Sequence, residues 1–349
     1  MSASSPAAPT PPPCARRCVL TGCAGFIGSH VAEALLRQGV SVVGVDNLDD
    51  FYDPALKQHN LDAIATAAAR TGSDFAFHRL DIRDATALTN LTQQVQPDLV
   101  VHLAARAGVR PSIADPALYA SVNVLGTTNV LEAVRALHAP CRTLIASSSS
   151  VYGDASRVPF REDDPCVRPV SPYAATKRAC ELIASTYHHL HDLPIACLRF
   201  FTVFGPRQRP DLAIAKFMRL AQQGKPIPMF GDGATSRDYT YIDDIVQGVL
   251  AAARAIESHG FRIWNLGGSH PVTLREMIDA IARVTGRELR VQQLPMQPGD
   301  VQRTYADLTR SGAELGFSPH TPFEAGLRKQ WAWLTAQGKT AARNASAHA

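Results

Sequence analysis

The chain has 349 residues, 46% of them hydrophobic and 19% charged, with a formal net charge of +4. That length allows one large domain or two moderate ones around a substantial core. The small charge excess comes from scattered arginines rather than basic runs, which excludes nucleic acid as the default partner. No apolar run reaches the roughly 18 residues needed to span a bilayer, so no membrane partner is expected.

Residues 1–15 open on Ser, Ala, Thr and Pro after the Met and read as a disordered tail, as do residues 336–349. The opening segment lacks the basic start and apolar stretch of a signal peptide. Seven cysteines (Cys14, Cys18, Cys23, Cys141, Cys166, Cys180, Cys197) are spaced irregularly, with no CxxC. They read as reduced thiols, with no disulfide framework and no metal site, and a cytoplasmic location follows.

Along the chain, short apolar runs alternate with helical patterns. Cys18–Leu20, Ser41–Val45, Leu99–Leu103, Thr143–Ala146 and Ile195–Phe200 read as strands. Ile27–Gln38, Tyr119–Leu137, Pro172–His189 and Asp243–Ala255 read as helices. Strands apolar on both faces and separated by helices imply an α/β fold: a doubly wound parallel sheet covered on both sides. The later part is less regular. Residues 205–233 are rich in Pro, Gly and charge, and Pro295–Gly299 reads as a loop. The expected organisation is a nucleotide-binding domain of residues 16–200 plus 240–266, with a smaller domain of 201–239 plus 267–335.

Three groups of residues carry chemistry. The first is Thr21-Gly22-Cys23-Ala24-Gly25-Phe26-Ile27-Gly28, after a strand and opening a helix. Glycines there permit a tight turn and close approach to a pyrophosphate, and the helix start offers free N–H groups. Asp46 ends the next strand about 20 residues on, placed to bind the adenosine ribose and to favour NAD over NADP. Asp81-Ile82, after a presumed third strand, can hold the adenine. The second group is Tyr173 and Lys177, four apart on a helix with Ser171 as cap and Pro172 in its first turn. A tyrosine with its ordinary pKa of about 10 is a poor base at neutral pH, and a nearby ammonium favours its phenolate. The third is Ser147-Ser148-Ser149-Ser150, which places hydroxyls at the C-terminal end of an apolar strand, where open α/β sheets bind ligands. Some of these hydroxyls can equally satisfy their own loop backbone.

Together these motifs resemble the extended short-chain dehydrogenase/reductase family, in particular its NAD-dependent nucleotide-sugar epimerases, over about Arg17 to Trp333. His102-Leu103-Ala104-Ala105, Asn123, Arg199-Phe200-Phe201-Thr202, Gly231-Asp232-Gly233, Arg237-Asp238-Tyr239 and Pro298-Gly299-Asp300 occur in the family's order. The resemblance implies that Tyr173 is the base, that Lys177 tunes it and that Ser148 assists the substrate hydroxyl. It places Asn47, Ile82, Leu103, Ala104, Ala105, Asn123 and Phe201 with the glycine turn around the cofactor. Arg237, Asp300 and Phe230 fall to a UDP-sugar substrate, and a homodimer is expected.

Dehydratases of the family carry an Asp-Glu pair where this chain has Ser149-Ser150, and UDP-glucuronate decarboxylases have Glu in place of Ser150. Hydroxyls alone suffice for epimerisation. The 199–211 segment and Asp46–Lys57 look like UDP-glucuronate 4-epimerases. Ser149, Ser150 and Thr202 would hold a carboxylate, with Arg110 and Arg209 as further anion contacts. The alternatives are 4-epimerisation of UDP-glucose or UDP-N-acetylglucosamine, decarboxylation of UDP-glucuronate, or a non-catalytic NAD(H) sensor. His188, His189 and His191 read as surface residues.

Overall fold

The computed structural model describes residues 14–154, 157–295 and 301–347. The first half runs β1 (Arg17–Thr21), α1 (Phe26–Arg37), β2 (Ser41–Asp46), α2 (Pro54–Thr71), β3 (Phe75–Arg79), α3 (Ala85–Val95), β4 (Leu99–His102), α4 (Val109–Ala114), α5 (Pro116–Tyr119), α6 (Gly126–Arg135), β5 (Arg142–Ser148) and α7 (Pro172–His191). The second half runs β6 (Ile195–Phe200), β7 (Thr202–Phe204), α8 (Ala213–Gln222), β8 (Ile227–Phe230), β9 (Ser236–Tyr241), α9 (Ile242–His259), β10 (Phe261–Leu266), β11 (Pro271–Thr273), α10 (Leu274–Thr285), β12 (Val291–Leu294), α11 (Thr309–Leu315) and α12 (Phe323–Ala347).

Seven strands form one parallel sheet in the order β10-β6-β5-β4-β1-β2-β3. The central strands are apolar on both faces because helices cover both. β4 and β6 are buried along their whole length, and one core cluster carries Leu20, Leu99, Leu144 and Leu198 together with Leu35 of α1 and Ile245 of α9. The order reverses beside β1, and a crevice lies at that switch point, beyond the C-terminal ends of β1 and β4. β7, β9 and β11 form a small second sheet, and β8 pairs with β12. These lie with α8, α10 and α12 beyond the C-terminal ends of the large sheet.

Helix boundaries follow local chemistry. Asp53, Asp84 and Ser171 cap α2, α3 and α7 by accepting from backbone N–H groups. Thr273 and Glu276 form a reciprocal capping box on α10. α1, by contrast, starts at Gly25 with no side-chain cap, which leaves its first N–H groups for something else.

Three expectations are corrected. Cys14 and Ala15 are buried in the core, so packing begins before the tail boundary at residue 15. α12 continues to Ala347, so residues 336–347 are helical where a tail is expected, in a stretch with several helix-favouring Ala, Arg and Lys residues. The helix expected over Tyr119–Leu137 is interrupted by a π-helical turn at Ala120–Leu125. Residues 1–13 and most of the Pro295–Gly299 loop lie outside the described residues. Among the described residues no helix is long and apolar enough to cross a membrane.

Candidate active site

A cavity of about 380 Å³ opens at the C-terminal ends of β1, β2, β4 and β5. Its first wall is the glycine turn. Gly22 has φ +74°, and a Cβ there would come within 2.6 Å of the Ala104 nitrogen, so only glycine lets the ends of β1 and β4 meet. Gly22 N–H donates to Val45 O at 2.7 Å and Gly25 N–H to Gly22 O at 3.1 Å. Gly25, Phe26, Ile27 and Gly28 carry the uncapped start of α1 into the cavity.

Asp46, Asn47, Asp81 and Ile82 form the next stretch of wall. Asp46 is buried and accepts from Ala24 N at 3.2 Å and Leu48 N at 2.9 Å, with Lys57 Nζ 3.8 Å away. Burial pushes its carboxyl pKa up, against the pull of Lys57 and the two N–H groups. It therefore caps its own loop while keeping lone pairs open to the cavity. Asn47 Nδ2 donates to Asp81 Oδ2 at 3.0 Å. Hydrogen bonds from Arg83 hold Asp81 ionised, with its pKa down to about 2. A helix start without a cap, a glycine-permitted close approach and a carboxylate at the end of β2 suit a dinucleotide with a free ribose diol.

The opposite wall holds Ser147–Ser150, Tyr173, Lys177, Phe201 and Thr202. Tyr173 stands edge-on to Tyr119, with ring centres 6.2 Å apart, and its N–H donates to Ser112 Oγ. Lys177 is buried and donates from Nζ to Ala146 O at 2.8 Å, which pins its ammonium at the end of β5. Ser148 accepts from Ser150 N and donates to Ser150 Oγ, both at 3.1 Å, so it caps the 3₁₀ turn Ser149–Tyr152. Ser147 points elsewhere and donates to Glu181 at 2.6 Å.

Other expected residues sit differently. Asn123 is not among the cavity-lining residues. Buried in the π turn, it brackets the Arg106 backbone from both sides (2.8 and 3.0 Å) and donates to Thr176 Oγ1 at 3.0 Å, tying the loop after β4 to α7. The extra residue of a π turn supplies that offset. Arg209 lines the cavity, paired bidentately with Asp211 at 3.0 and 2.7 Å. Arg110, Phe230 and Arg237 do not line it. Arg110 stacks 5.0 Å from the Phe230 ring, and Arg237 donates to Ser236 O. Asp300 lies outside the described residues. His189 and His191 are exposed, whereas His188 is half-buried against Leu193 O and Phe261. Among the described residues no His/Cys/Asp/Glu group is arranged to hold a metal.

Residue-by-residue reading overlooks Arg106, Phe51, Tyr52 and Lys57 as cavity walls. The Phe51 ring lies 5.0 Å from the Arg106 guanidinium and 5.1 Å from that of Arg209, and Arg106 pairs with Asp49 at 2.9 Å. The Asp46–Lys57 run carries the only sequence signal for this cluster, and that signal is a resemblance rather than a local periodicity.

A tyrosine, a buried lysine ammonium, strand-end hydroxyls and a cradle suited to a dinucleotide share one cavity, the arrangement of a short-chain dehydrogenase type site. The family model described as GDP-mannose 4,6 dehydratase matches residues 19–330, and the chain belongs to that family. Within it, the chain is 40% identical over 316 residues to a UDP-glucuronate 4-epimerase of Thermodesulfobacterium geofontis, covering 90% of this chain and 95% of that one. Its fold superposes with TM-score 0.84 on the UDP-glucuronic acid 4-epimerase of Bacillus cereus in complex with UDP-glucuronic acid and NAD. The two are 34% identical over 92% of this chain and 99% of that one. The UDP-glucose 4-epimerase of Thermus thermophilus, complexed with NAD, gives TM-score 0.81 at 32% identity, covering 91% and 99%.

Proposed function

We propose that this protein is an NAD-dependent 4-epimerase that interconverts UDP-glucuronate and UDP-galacturonate. The observation that carries the reading is the composition of the catalytic wall. Around Tyr173 it offers the hydroxyls of Ser148, Ser149, Ser150 and Thr202, and no carboxylate at the 149–150 positions. Elimination of a neighbouring hydroxyl needs an acid there; epimerisation needs none. The likeness to relatives named for UDP-glucuronate supports the uronate over a neutral sugar.

The glycine turn and the start of α1 would hold the diphosphate of NAD, Asp46 its adenosine ribose, and Asn47, Asp81 and Ile82 the adenine end. NAD bound there would supply reversible hydride chemistry at C4 of the sugar. Tyr173 accepts the proton of the C4 hydroxyl as the ketone forms and gives it back on reduction. The Lys177 ammonium favours the phenolate form that this requires. Ser148, held by the 3₁₀ turn, presents its hydroxyl to the same oxygen. Ser149, Ser150 and Thr202 face the sugar's carboxylate as hydrogen-bond donors.

A homodimer fits an exposed apolar face. Leu125 beside α6 and Leu182 and Leu190 on α7 are 49%, 53% and 68% exposed on neighbouring helices, and sedimentation analysis tests it. The seven free thiols suit a reducing, cytoplasmic setting. The activity test is incubation of the purified protein with UDP-glucuronate and separation of the nucleotide sugars. UDP-galacturonate without pentose is expected. Interconversion of UDP-glucose or its N-acetyl analogue with no uronate product would overturn the substrate assignment. Thr202→Asn is expected to weaken uronate turnover more than glucose turnover.

A further inference from the structure

We infer that Glu181 and Ser147 are positioning residues that hold the hydroxyl cluster rigid, so that the 4-keto uronate is reduced before it loses CO₂. The inference rests on the uronate reading above. Glu181 lies one turn beyond Lys177 on α7, is buried, and touches no cavity surface. Its carboxylate accepts four hydrogen bonds. Ser147 Oγ donates at 2.6 Å and Arg199 Nε at 2.8 Å to one oxygen; Arg199 Nη2 and Arg178 Nη1, both at 2.9 Å, donate to the other.

Arg178 lies on α7 with Glu181, and the other two partners lead to different walls of the site. Ser147 adjoins Ser148 at the end of β5. Arg199 lies on β6, three residues before Thr202. Its guanidinium carbon also stands 4.7 Å from the ring centre of Tyr152, the last residue of the 3₁₀ turn that carries Ser149 and Ser150. Tyr152 in turn donates to Asn265 Oδ1 at 2.7 Å on β10. One carboxylate thus ties the helix of Tyr173 and Lys177 to the strand ends and turn that hold every hydroxyl of the cluster.

A buried ion pair is a poor way to gain stability, because desolvation offsets most of the attraction, and apolar side chains of similar size often do as well. Its distinctive property here is directional, since a bidentate guanidinium–carboxylate pair fixes distance and angle together.

The reaction has a use for that rigidity. In the 4-keto uronate the carboxylate is β to the ketone. When the C5–C6 bond lies parallel to the carbonyl π system, it breaks and CO₂ leaves. The electron pair passes into the enolate at C4–C5, and solvent supplies a proton to C5. The resulting 4-keto pentose takes back the hydride removed in the first step, so no outside reductant is needed. Holding the carboxylate out of that alignment depends on donors that do not shift, since a misplacement of about 1 Å can change a rate about 10²-fold.

The test compares products from UDP-glucuronate in the NAD-loaded wild type, Ser147→Ala, Glu181→Asp and Thr202→Val. UDP-galacturonate is measured against the sum of UDP-pentose and its 4-ketone. Ser147→Ala removes one link and leaves both arginine contacts, so it keeps the fold even if Glu181→Asp does not. The expected result is a decarboxylated-to-epimerised ratio about tenfold higher in Ser147→Ala and Glu181→Asp, the size that losing a hydrogen bond to a charged group produces. A merely structural role would slow both products together, and an unchanged ratio in both variants overturns the inference. A ratio that rises in Thr202→Val alone sinks the relay and leaves the uronate reading standing. No uronate product from the wild type sinks both.

Discussion

The floor and the rim of the cavity are made by different means. On the floor, backbone groups do most of the holding. Gly22 N–H meets Val45 O, Asp46 collects two N–H groups, Ser148 caps the turn that follows it, and Lys177 is pinned by a carbonyl. At the rim, Phe51 lies between Arg106 and Arg209, which pair with Asp49 and Asp211, and these side chains are partly exposed. Backbone-built walls are stiff, and their failure is felt by the whole site. Side-chain pairs near solvent are weaker and are screened by salt. The floor should therefore govern chemistry and cofactor retention, and the rim should govern how tightly the anionic substrate is held.

The largest effect is expected on the floor. Tyr173→Phe keeps the ring against Tyr119 and removes only the hydroxyl. Turnover should fall by about 10²–10⁴-fold, the usual worth of a positioned acid–base group, while the NAD content of the purified protein matches wild type. Retention of more than a tenth of the activity would mean that another group takes the proton. Gly22→Val comes next. It combines a β-branched residue at φ +74° with a side chain directed at the Ala104 backbone. The backbone conformation alone costs about 1–2 kcal/mol. The protein should purify without NAD and melt several degrees lower, with added NAD failing to restore wild-type activity.

Acid offers a way to separate floor from rim without mutation. His102 is buried and His30 half-buried, and both stay neutral, with pKa values pushed down to about 3 chiefly by desolvation. His102 sits behind the floor between Thr21 Oγ1 at 2.7 Å and Thr127 Oγ1 at 3.0 Å. An unfolded histidine takes up its proton near pH 6.5, the folded ones only near 3. The stability from keeping them neutral is therefore complete above about pH 6.5 and drains as pH falls toward 3, at about 1.4 kcal/mol per pH unit for each group. Urea unfolding at pH 7 and pH 5 should differ by about 2 kcal/mol per histidine, and His102→Gln should remove about half of the difference. A flat profile would mean that both rings take up protons in the fold as readily as in the unfolded chain.

What the sequence makes legible follows the same division. The glycine turn, Asp46 and the Tyr173–Lys177 pair are legible as candidates, and they line one cavity, because each is a short run where spacing and local geometry are locked together. Asp49 and Arg106 are 57 positions apart, and Ser147 and Glu181 are 34 apart. Nothing in a local window connects them until the fold brings the loops after β2 and β4 together and lays α7 against β5. The π turn at Ala120–Leu125 escapes notice because its apolar spacing passes for α-helix, and with it the bracing of the Arg106 loop by Asn123, a residue that the resemblance places at the cofactor. Arg237, expected from the resemblance, and Arg110 and Phe230, expected as substrate contacts, lie outside the lining of the cavity, because residue identity does not say which way a loop turns.

The smallest effect, and the sharpest test of the division, is at the rim. Phe51→Ala removes the ring shared by two guanidinium groups and leaves both ion pairs in place. Each cation–π contact at a partly exposed site is worth about 0.5–1 kcal/mol. Losing both frees Arg106 and Arg209 to move and should raise KM for UDP-glucuronate about five- to thirtyfold, with kcat within a factor of about two, since 1.4 kcal/mol is tenfold in binding. Phe51→Tyr keeps a ring face and should restore most of the affinity. Raising ionic strength should weaken binding in wild type more than it weakens turnover at saturation, because the arginines meet the substrate where salt can reach them. If Phe51→Ala lowers kcat a hundredfold at unchanged KM, the rim helps to shape the reacting geometry, and the two regions act as one.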